Sequence, residues 1–570
     1  MFKKALLLAL LSSLTLSATS MKERMFSEID FMKGVFEVKY APLKWKRDFA
    51  NYDLDVESEQ ACSALDALVE PSAKDYHRIL KRFFNATKDY HVGVHFYATE
   101  EASLPFLIRG SEGRYFFVFI DRDVLPYSKF PFSIGDEILE FGGRAVGEVI
   151  EELRIQELGL NTEETDQAIA ELMLTNRRAS NGDVVPQGIV EILGTRRGDY
   201  KPMSTTLTWY YVPERVGGCP KFKPIVRIEP NFSQWRLNPK ETVKREKFFE
   251  KMMVYSGWNA SHVGCSMSEN RHSLGARSSY IPSLGKKMWC SKKDAVFDAY
   301  TFRTENGHTL GYIRIPHYMG DEDQVKEFCE VMKLFQERTE GLVIDQINNP
   351  GGSIFYLYAL LANFATEGPM ATPKHRLQLT QEEVYMAVSI LDAMEGVTEI
   401  KQAKEVIGET LGGYPITMET VHLMRQFCNF ILGEWASGKL YTDPTHLFGV
   451  DHIKRHPQGS YTKPVLLLTN SLDFSAGDFF PAVMQDNGRA KILGTRTAGA
   501  GGYVTGTNFP TQTGVMGFSL TGSIAERVNK DPIENLGVRP DIEYSLSAFD
   551  LQNNYAEYVD NIVASIEAML

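Results

Sequence analysis

Hydrophobic and polar positions alternate with different periods along the chain, and each change of period marks a predicted element. Apolar residues recur at helical spacing over positions 76–84, and the period then falls to two over positions 92–96. Short strands and turns are indicated from about residue 104 to 228. The first part of the chain is therefore predicted to be helical and the next part to be rich in β-strands.

From about residue 301 the pattern changes to strands that alternate with helices. Short apolar runs predict the strands, and stretches of helical period predict the helices. This alternation is typical of an α/β domain with a largely parallel sheet. The predicted strands are 311–315, 342–345, 465–469 and 491–493, and the predicted helices are 353–365 and 477–485.

A serine lies where the predicted strand 465–469 turns into the following helix. Such a turn presents Ser475 at the top of the sheet, beside free backbone N–H groups and the positive end of the helix dipole. A serine nucleophile needs these donors because negative charge develops on the attacked carbonyl. The alternative is that Ser475 only caps the helix, with Asp478 completing a capping box, and this is the commoner role for a serine at such a junction.

A glycine turn follows the predicted strand 342–345. In Asn349-Pro350-Gly351-Gly352 the two glycines allow the backbone to approach a substrate closely and to direct N–H groups at it. Taken alone, this sequence equally fits an ordinary turn. Together with a nucleophile it becomes a candidate oxyanion hole, formed by Gly351 or Gly352 and the N–H of Ala476.

Composition and the N-terminus indicate where the protein acts. The chain has 570 residues, 43% of them hydrophobic, and a net charge of −12, which argues against nucleic acid as the principal partner. Residues 1–20 read as a secretory signal peptide: Lys3 and Lys4 precede an apolar stretch from Ala5 to Leu16, and Ala18-Thr19-Ser20 follows as a small-residue cleavage site. No other segment reaches the ~20 apolar residues that span a bilayer. We therefore expect an exported, soluble protein without an integral membrane segment.

Two further segments stand out before the α/β region. Residues 134–146, which contain Ile134-Gly135-Asp136 and Gly142-Gly143, resemble PDZ domains, modules that bind an extended peptide at a sheet edge; a hairpin without special function is the alternative. Residues 240–293 hold eleven Lys or Arg and four Asp or Glu, and eleven minus four gives +7 in an otherwise acidic chain. This basic segment is either a solvated insertion or a removable, inhibitory one.

The motifs of the α/β region resemble those of a known family. The Asn-Pro-Gly-Gly turn, the helix start Ser475-Ala476-Gly477, and the segments 492–497 and 534–541 are similar to those of the C-terminal processing (tail-specific) serine peptidases, family S41. Many members carry a PDZ domain ahead of the catalytic core. The resemblance implies an α/β multidomain protein whose core is crotonase/ClpP-like, with an inserted PDZ-like β domain and an N-terminal helical region.

One departure from the family pattern changes the expected chemistry. The better-known branch uses a lysine base 25 residues after the serine, and Ala500 occupies that position here. The motif Asp89-Tyr90-His91, the late Glu534 and the long insertion resemble a branch that uses a Ser-His-Glu triad. That resemblance implies Ser475 as nucleophile, His91 as general base and Glu534 as the carboxylate that orients the imidazole. Alone, His91 would more simply be a structural histidine.

The predicted function is that of a secreted serine endopeptidase that hydrolyses protein substrates through an acyl-enzyme. The resemblance further implies a self-processing zymogen, a homodimer when active, and delivery to the periplasm, the exterior or a host cell. No metal or cofactor is expected, because no C-x-x-C or H-E-x-x-H motif occurs. The alternatives are a catalytically inactive PDZ-type peptide-binding protein and a crotonase-like acyl-CoA enzyme. The predicted domains are 1–20, 21–103, 104–235, 236–300 and 301–570.

Overall fold

The computed structural model describes residues 20–199, 201–215 and 270–570. Nearly all of the predicted signal peptide and residues 240–269 of the basic segment lie outside the described residues. Within the described ranges, no helix is both long and apolar enough to cross a membrane.

Four helices form the N-terminal region, and capping boxes fix where two of them begin. Ser20 and Glu23 form a capping box at the first helix, and Ser72 and Asp75 form another at the fourth. The helices bury one apolar face against a short strand and against the core strand Val515–Thr521. The elements are α1 (Met21–Lys39), α2 (Leu43–Ala50), α3 (Leu54–Asp66), α4 (Ala73–Asn85) and β1 (Gly93–Phe96).

The second region is a β-rich domain with two main helices. Its sheet has the order β3-β4-β5-β8-β9, with β6 beside β5, and a smaller sheet has the order β10-β2-β7. The glycine pair at 142–143 has positive φ and forms the turn between β5 and β6. The elements are β2 (Glu101–Ser103), β3 (Phe106–Ser111), β4 (Arg114–Ile120), β5 (Glu137–Phe141), β6 (Arg144–Ala145), α5 (Val146–Leu153), α6 (Glu163–Met173), β7 (Asn176–Arg178), β8 (Ile189–Thr195), β9 (Met203–Thr208) and β10 (Tyr210–Val212), with short helical turns at Arg154–Leu158 and Ala179–Asn181.

The third region is the α/β core. Its strands are β11 (Lys286–Cys290), β12 (Ala299–Arg303), β13 (Thr309–Arg314), β14 (Gly341–Asp345), β15 (Met370–Ala371), β16 (Lys374–Leu377), β17 (Thr410–Leu411), β18 (Tyr414–Pro415), β19 (His452–Ile453), β20 (Val465–Thr469), β21 (Lys491–Gly494), β22 (Val504–Asn508), β23 (Val515–Thr521), β24 (Ser523–Glu526) and β25 (Ile542–Glu543). Its helices are α7 (Glu322–Arg338), α8 (Ile354–Leu361), α9 (Gln381–Ala393), α10 (Ile400–Ile407), α11 (Met418–Ala436), α12 (Ala476–Asp486), α13 (Ala548–Gln552) and α14 (Ala556–Glu567), with a 3₁₀ turn at Leu447–Gly449.

Seven of these strands form the central sheet, in the order β11-β12-β13-β14-β20-β21-β25. The pairs from β13 to β25 are parallel, and the first two pairs are antiparallel. Both faces are covered: Val465 and Leu467 pack into one apolar cluster, and Leu466 and Leu468 pack into another. A parallel strand buried on both faces reads as a continuous apolar run, which is why these strands could be predicted.

The register of the sheet decides where the site lies. β14 and β20 are parallel neighbours, with Asp345 opposite Leu468, so the loops that follow them leave the same edge of the sheet side by side. One loop carries the glycine turn 349–352 and the other carries Ser475.

Candidate active site

Ser475 connects β20 to α12 in a strained backbone conformation. Its φ is 57° and its ψ is −116°, a region that non-glycine residues rarely occupy. Within the described part of the chain, its hydroxyl makes no capping hydrogen bond to the helix that it precedes. The hydroxyl is therefore not used as a helix cap, and the conformation is the kind found at the sharp turn that presents a nucleophile.

The glycine turn is packed directly against this serine. A Cβ at Gly351 would lie 2.7 Å from the Ser475 Cβ and 2.6 Å from the Phe474 carbonyl oxygen, and a Cβ at Gly352 would lie 2.3 Å from the Tyr318 carbonyl oxygen. Both glycines also have positive φ, 89° and 148°. The Gly351 N–H donates to the Asn349 Oδ1 at 2.8 Å, so this donor is engaged within the turn itself.

A buried carboxylate beside the serine joins the two loops. Asp473 Oδ1 accepts from the Asn349 N–H at 2.9 Å, and Oδ2 accepts from the Asn470 N–H and the Gln346 side chain, each at 3.1 Å. Burial raises the pKa of Asp473 well above its usual range. Asp473 thus fixes the spacing between the glycine turn and the serine loop.

A second carboxylate attaches the serine helix to the loop 497–501. The Asp478 carboxylate accepts hydrogen bonds from the Thr497 hydroxyl and from the N–H groups of Gly499 (2.8 Å) and Ala500 (3.0 Å). Burial raises the pKa of Asp478 to about 7. Ala500, where the family resemblance places a lysine base, is fully buried in an apolar cluster with Phe474.

Glu534 is held on the other side of the same loop. Its Oε2 accepts from the Gly501 N–H at 3.0 Å, and its Oε1 accepts from the ammonium of Lys46. The side chain is fully buried. Burial, and then the charge of Asp89, raises the pKa of Glu534 to about 8, whereas Lys46 opposes the increase.

His91 lies fully buried just before β1. Its backbone N–H donates to the Asp89 Oδ1 at 2.9 Å, and its carbonyl oxygen accepts from the Ser519 hydroxyl at 2.8 Å. Asp89 is itself fixed by the hydroxyls of Tyr40 (3.0 Å) and Thr521 (2.8 Å). Burial lowers the pKa of His91 to about 4, so the imidazole is neutral at neutral pH and can accept a proton.

The segments that carry the three predicted residues contact one another. The ring of Tyr90, next to His91, packs edge-on against the ring of Phe474, next to Ser475, with 5.6 Å between centroids. Lys46, which contacts the Glu534 carboxylate, also donates to the carbonyl oxygen of Lys88 at 2.7 Å. The positions predicted from motifs hundreds of residues apart are thus brought to one region of the fold.

Four residues of this region were not predicted as site residues from the sequence. Asp89 lies inside the motif that drew attention to His91, and Asp473 and Asp478 lie within three residues of Ser475, so their proximity was the available signal. Lys46 carries no signal, because a lysine among Leu43, Trp45 and Arg47 reads as part of the solvated face of a helix.

The domains on either side of the core also contact the site. From the β-rich domain, Asp166 accepts from the Tyr90 hydroxyl at 2.8 Å, and Asn161 accepts from the Asn535 side chain at 2.9 Å. From the described end of the basic segment, the His272 carbonyl accepts from the Asn348 side chain at 3.0 Å. These contacts place both regions against the loops of the site.

A serine at positive φ beside a glycine turn, at the carboxyl edge of a parallel sheet, is the arrangement by which serine-type hydrolases present a nucleophile. Comparison with known proteins agrees with this class. The family model for the PDZ domain matches residues 100–216, and that for peptidase family S41 matches residues 309–544. The chain belongs to peptidase family S41 and is a serine-type peptidase with a PDZ domain.

Relatives and solved structures extend the similarity to almost the whole chain. An uncharacterized protein of Chlamydia muridarum is 37% identical over 559 residues, which are 94% of this chain and 91% of that protein. The Chlamydia pneumoniae protein CPj1016/CpB1054 is 34% identical over 564 residues, 95% of this chain and 89% of that one.

Two crystal structures of CPAF, the chlamydial protease-like activity factor, are closely similar to this chain. The mature CPAF structure has a TM-score of 0.80 and 32% identity, covering 96% of this chain and 98% of the chain in that structure. Mature CPAF complexed with lactacystin has a TM-score of 0.81 and 32% identity, covering 96% and 99%.

Proposed function

We propose that the protein is an exported serine endopeptidase with a Ser475-His91-Glu534 triad. His91 accepts the proton of the Ser475 hydroxyl as the oxygen attacks a peptide carbonyl, and then donates a proton to the leaving amine. Water hydrolyses the acyl-enzyme by the same route. Glu534 holds the imidazole in one tautomer and stabilises its protonated form. The observation that carries the proposal is the contact of the strained Ser475 turn with the segment of His91, through Phe474 and Tyr90.

The oxyanion is assigned to backbone N–H groups of the two loops at the sheet edge. Ala476 is the first residue of α12, where N–H groups have no partner inside the helix. Of the two glycines, Gly352 is the better donor, because the N–H of Gly351 is directed at Asn349. Gly351 is needed instead for the close approach of the turn to Ser475. The parallel core with donors at this edge suits a crotonase/ClpP-like fold, and the chemistry needs neither a metal nor an organic cofactor.

We further propose that the chain is made as a zymogen that cuts itself within about residues 239–293, and then dimerises. Two contacts support a link between this segment and the site: the Asn348 side chain donates to the His272 carbonyl, and the Gly275 N–H donates to the Asn348 carbonyl at 2.9 Å. Because Asn348 precedes the glycine turn directly, a cut just before residue 270 would change the constraint on the oxyanion donors. The cationic character of the segment fits a removable part of an acidic enzyme.

The proposed location and substrates are supported by the N-terminus and by the relatives. The signal-like residues 1–20 indicate export to the periplasm or beyond. Since similar proteins come from chlamydiae, delivery into a host cell, as a virulence factor that cleaves host proteins, is the proposed destination.

The decisive experiment compares the purified wild type with Ser475→Ala. The wild type should be labelled once by a fluorophosphonate, cleave peptides, and show fragment masses from self-processing. Ser475→Ala should show none of these and remain one chain. Ser471→Ala, a matched change of a nearby serine whose hydroxyl contacts the Glu164 carbonyl, should behave as wild type. Lactacystin should reduce labelling, since mature CPAF has been crystallised with it.

Each failure of this experiment points to a different revision. Cleavage that persists in Ser475→Ala would move the nucleophile to another residue. A wild type that binds peptides but is neither labelled nor cleaves them would instead favour an inactive PDZ-type binding protein.

A further inference from the structure

Lys46, on helix α2 of the N-terminal region, is a fully buried lysine. Its ammonium donates to the Glu534 carboxylate, to the Asn535 Oδ1 at 2.7 Å and to the Lys88 carbonyl oxygen at 2.7 Å. These three acceptors match the three hydrogens that an ammonium can donate. Lysines are almost never fully buried unless they are paired in this way.

The acceptors come from two separate segments that are central to the proposed reaction. Lys88 lies three residues before His91, and Asn535 follows Glu534 directly. The Asn535 side chain strengthens the same junction, because its Nδ2 also donates to the Lys88 carbonyl at 2.7 Å. Lys46 therefore joins the segment of the base to the segment of the carboxylate.

The charges around Glu534 explain why a cation is needed there. Asp89 faces it from the loop before β1 and raises its pKa, and Asp478 lies on the opposite side of the loop 497–501. His91 is neutral at rest, and the Tyr40 hydroxyl is directed at Asp89. Among the groups that shift the pKa of Glu534, Lys46 supplies the opposing positive charge, and the Gly501 N–H supplies a further hydrogen bond.

We propose that Lys46 is a positioning residue for the peptidase reaction, whose ammonium favours the ionised form of the buried Glu534 carboxylate and fixes it beside the His91 segment. The inference rests on the proposed function, because it assigns Lys46 a role through Glu534. Only an ionised carboxylate can stabilise the imidazolium that forms when His91 takes the serine proton. An opposite charge at this distance typically lowers the pKa of a carboxyl group by about 1–3 units.

The test is the pH dependence of kcat/KM for a fluorogenic peptide, measured on the full-length protein. Lys46→Met keeps an unbranched side chain of similar length and removes the charge. In this variant, the increase of kcat/KM with pH should occur about 1–3 pH units higher than in the wild type. At neutral pH, kcat should fall by about 10-fold or more while KM changes little, because the substrate does not contact Lys46. Lys46→Arg, which keeps the charge, should retain the wild-type profile better than Lys46→Met.

Lys81→Met is the matched control. Lys81 is also buried and contacts two carboxylates, Glu157 at 2.6 Å and Asp183, but neither belongs to the site. Its replacement should lower the melting temperature without displacing the pH profile. A merely structural role of Lys46 would give the same result as this control.

The outcomes separate the inference from the function on which it rests. An active wild type whose Lys46→Met variant is folded and keeps the wild-type pH profile would overturn the inference alone. A further loss caused by Lys46→Met in a Glu534→Gln background would do the same, because Lys46 would then act elsewhere. If Lys46→Met does not fold, Lys46→Gln, which retains hydrogen-bond donors, is measured by the same criteria. A wild type that neither cleaves nor is labelled at Ser475 would overturn the proposed function, and the inference with it.

Discussion

Gly351→Ala tests whether the contact between the glycine turn and Ser475 determines the geometry of the site. The new methyl group would lie 2.7 Å from the Ser475 Cβ and 2.6 Å from the Phe474 carbonyl oxygen. Carbon atoms prefer separations of about 3.5–4.0 Å, so the serine turn or the glycine turn must move by roughly 1 Å. Alanine at φ 89° adds strain of about 1–3 kcal/mol.

A displacement of ~1 Å at a reacting group costs about 10²-fold in rate. We therefore expect kcat/KM of Gly351→Ala to fall by about 100-fold or more, with a matching loss in the rate of fluorophosphonate labelling. Melting temperature, measured in parallel, separates this effect from unfolding. The control is Gly506→Ala in β22, where a new Cβ meets nothing within 4 Å. A folded Gly351→Ala variant with kcat/KM within about twofold of wild type would refute the assigned geometry.

Two further predictions concern proton transfer. The kcat/KM of the wild type should rise with pH and level off above about pH 8, because Glu534 must lose its proton, whereas His91 is already neutral above about pH 4. Glu534→Gln should remove this rise. A wild-type kcat/KM that does not change with pH across the neutral range would contradict the role of Glu534. Ala500→Lys should lower stability by several kcal/mol, since it buries an ammonium in an apolar cluster, and should not restore activity to His91→Ala. Stability is measured as the melting temperature, and Ala436→Lys, at an exposed helix end, is the control. Recovery of activity in the double variant His91→Ala/Ala500→Lys would show that position 500 can still supply a base.

The strands that build the site were predictable because their environment is uniform. β20 was predicted with its observed bounds, and β14 to within a residue, since strands buried on both faces are apolar throughout. The loops at their carboxyl ends could be placed together for the same reason. The helices α9, α10 and α11 were not predicted from the sequence. Their apolar faces pack within the core, and their hydrophobic pattern alone does not indicate which part of the core they contact.

The charged residues around the site were harder to predict. The importance of Lys46 comes from a contact with a residue 488 positions away, and no local pattern distinguishes it from a surface lysine. Asp473 is similar, because its role depends on the pairing of two loops that follow different strands. Such groups are recognised only when the fold shows which polar atoms are buried together.

The loop 497–501 explains how this chain can dispense with a lysine at position 500. Asp478, one turn into the serine helix, holds the N–H groups of Gly499 and Ala500, and Glu534 holds that of Gly501 on the other side. Two buried carboxylates thus anchor one loop from opposite sides. In the lysine branch of the family this loop would carry the base. Here it connects the serine helix to Glu534, while the proposed base, His91, and the lysine proposed to support Glu534, Lys46, come from the N-terminal region.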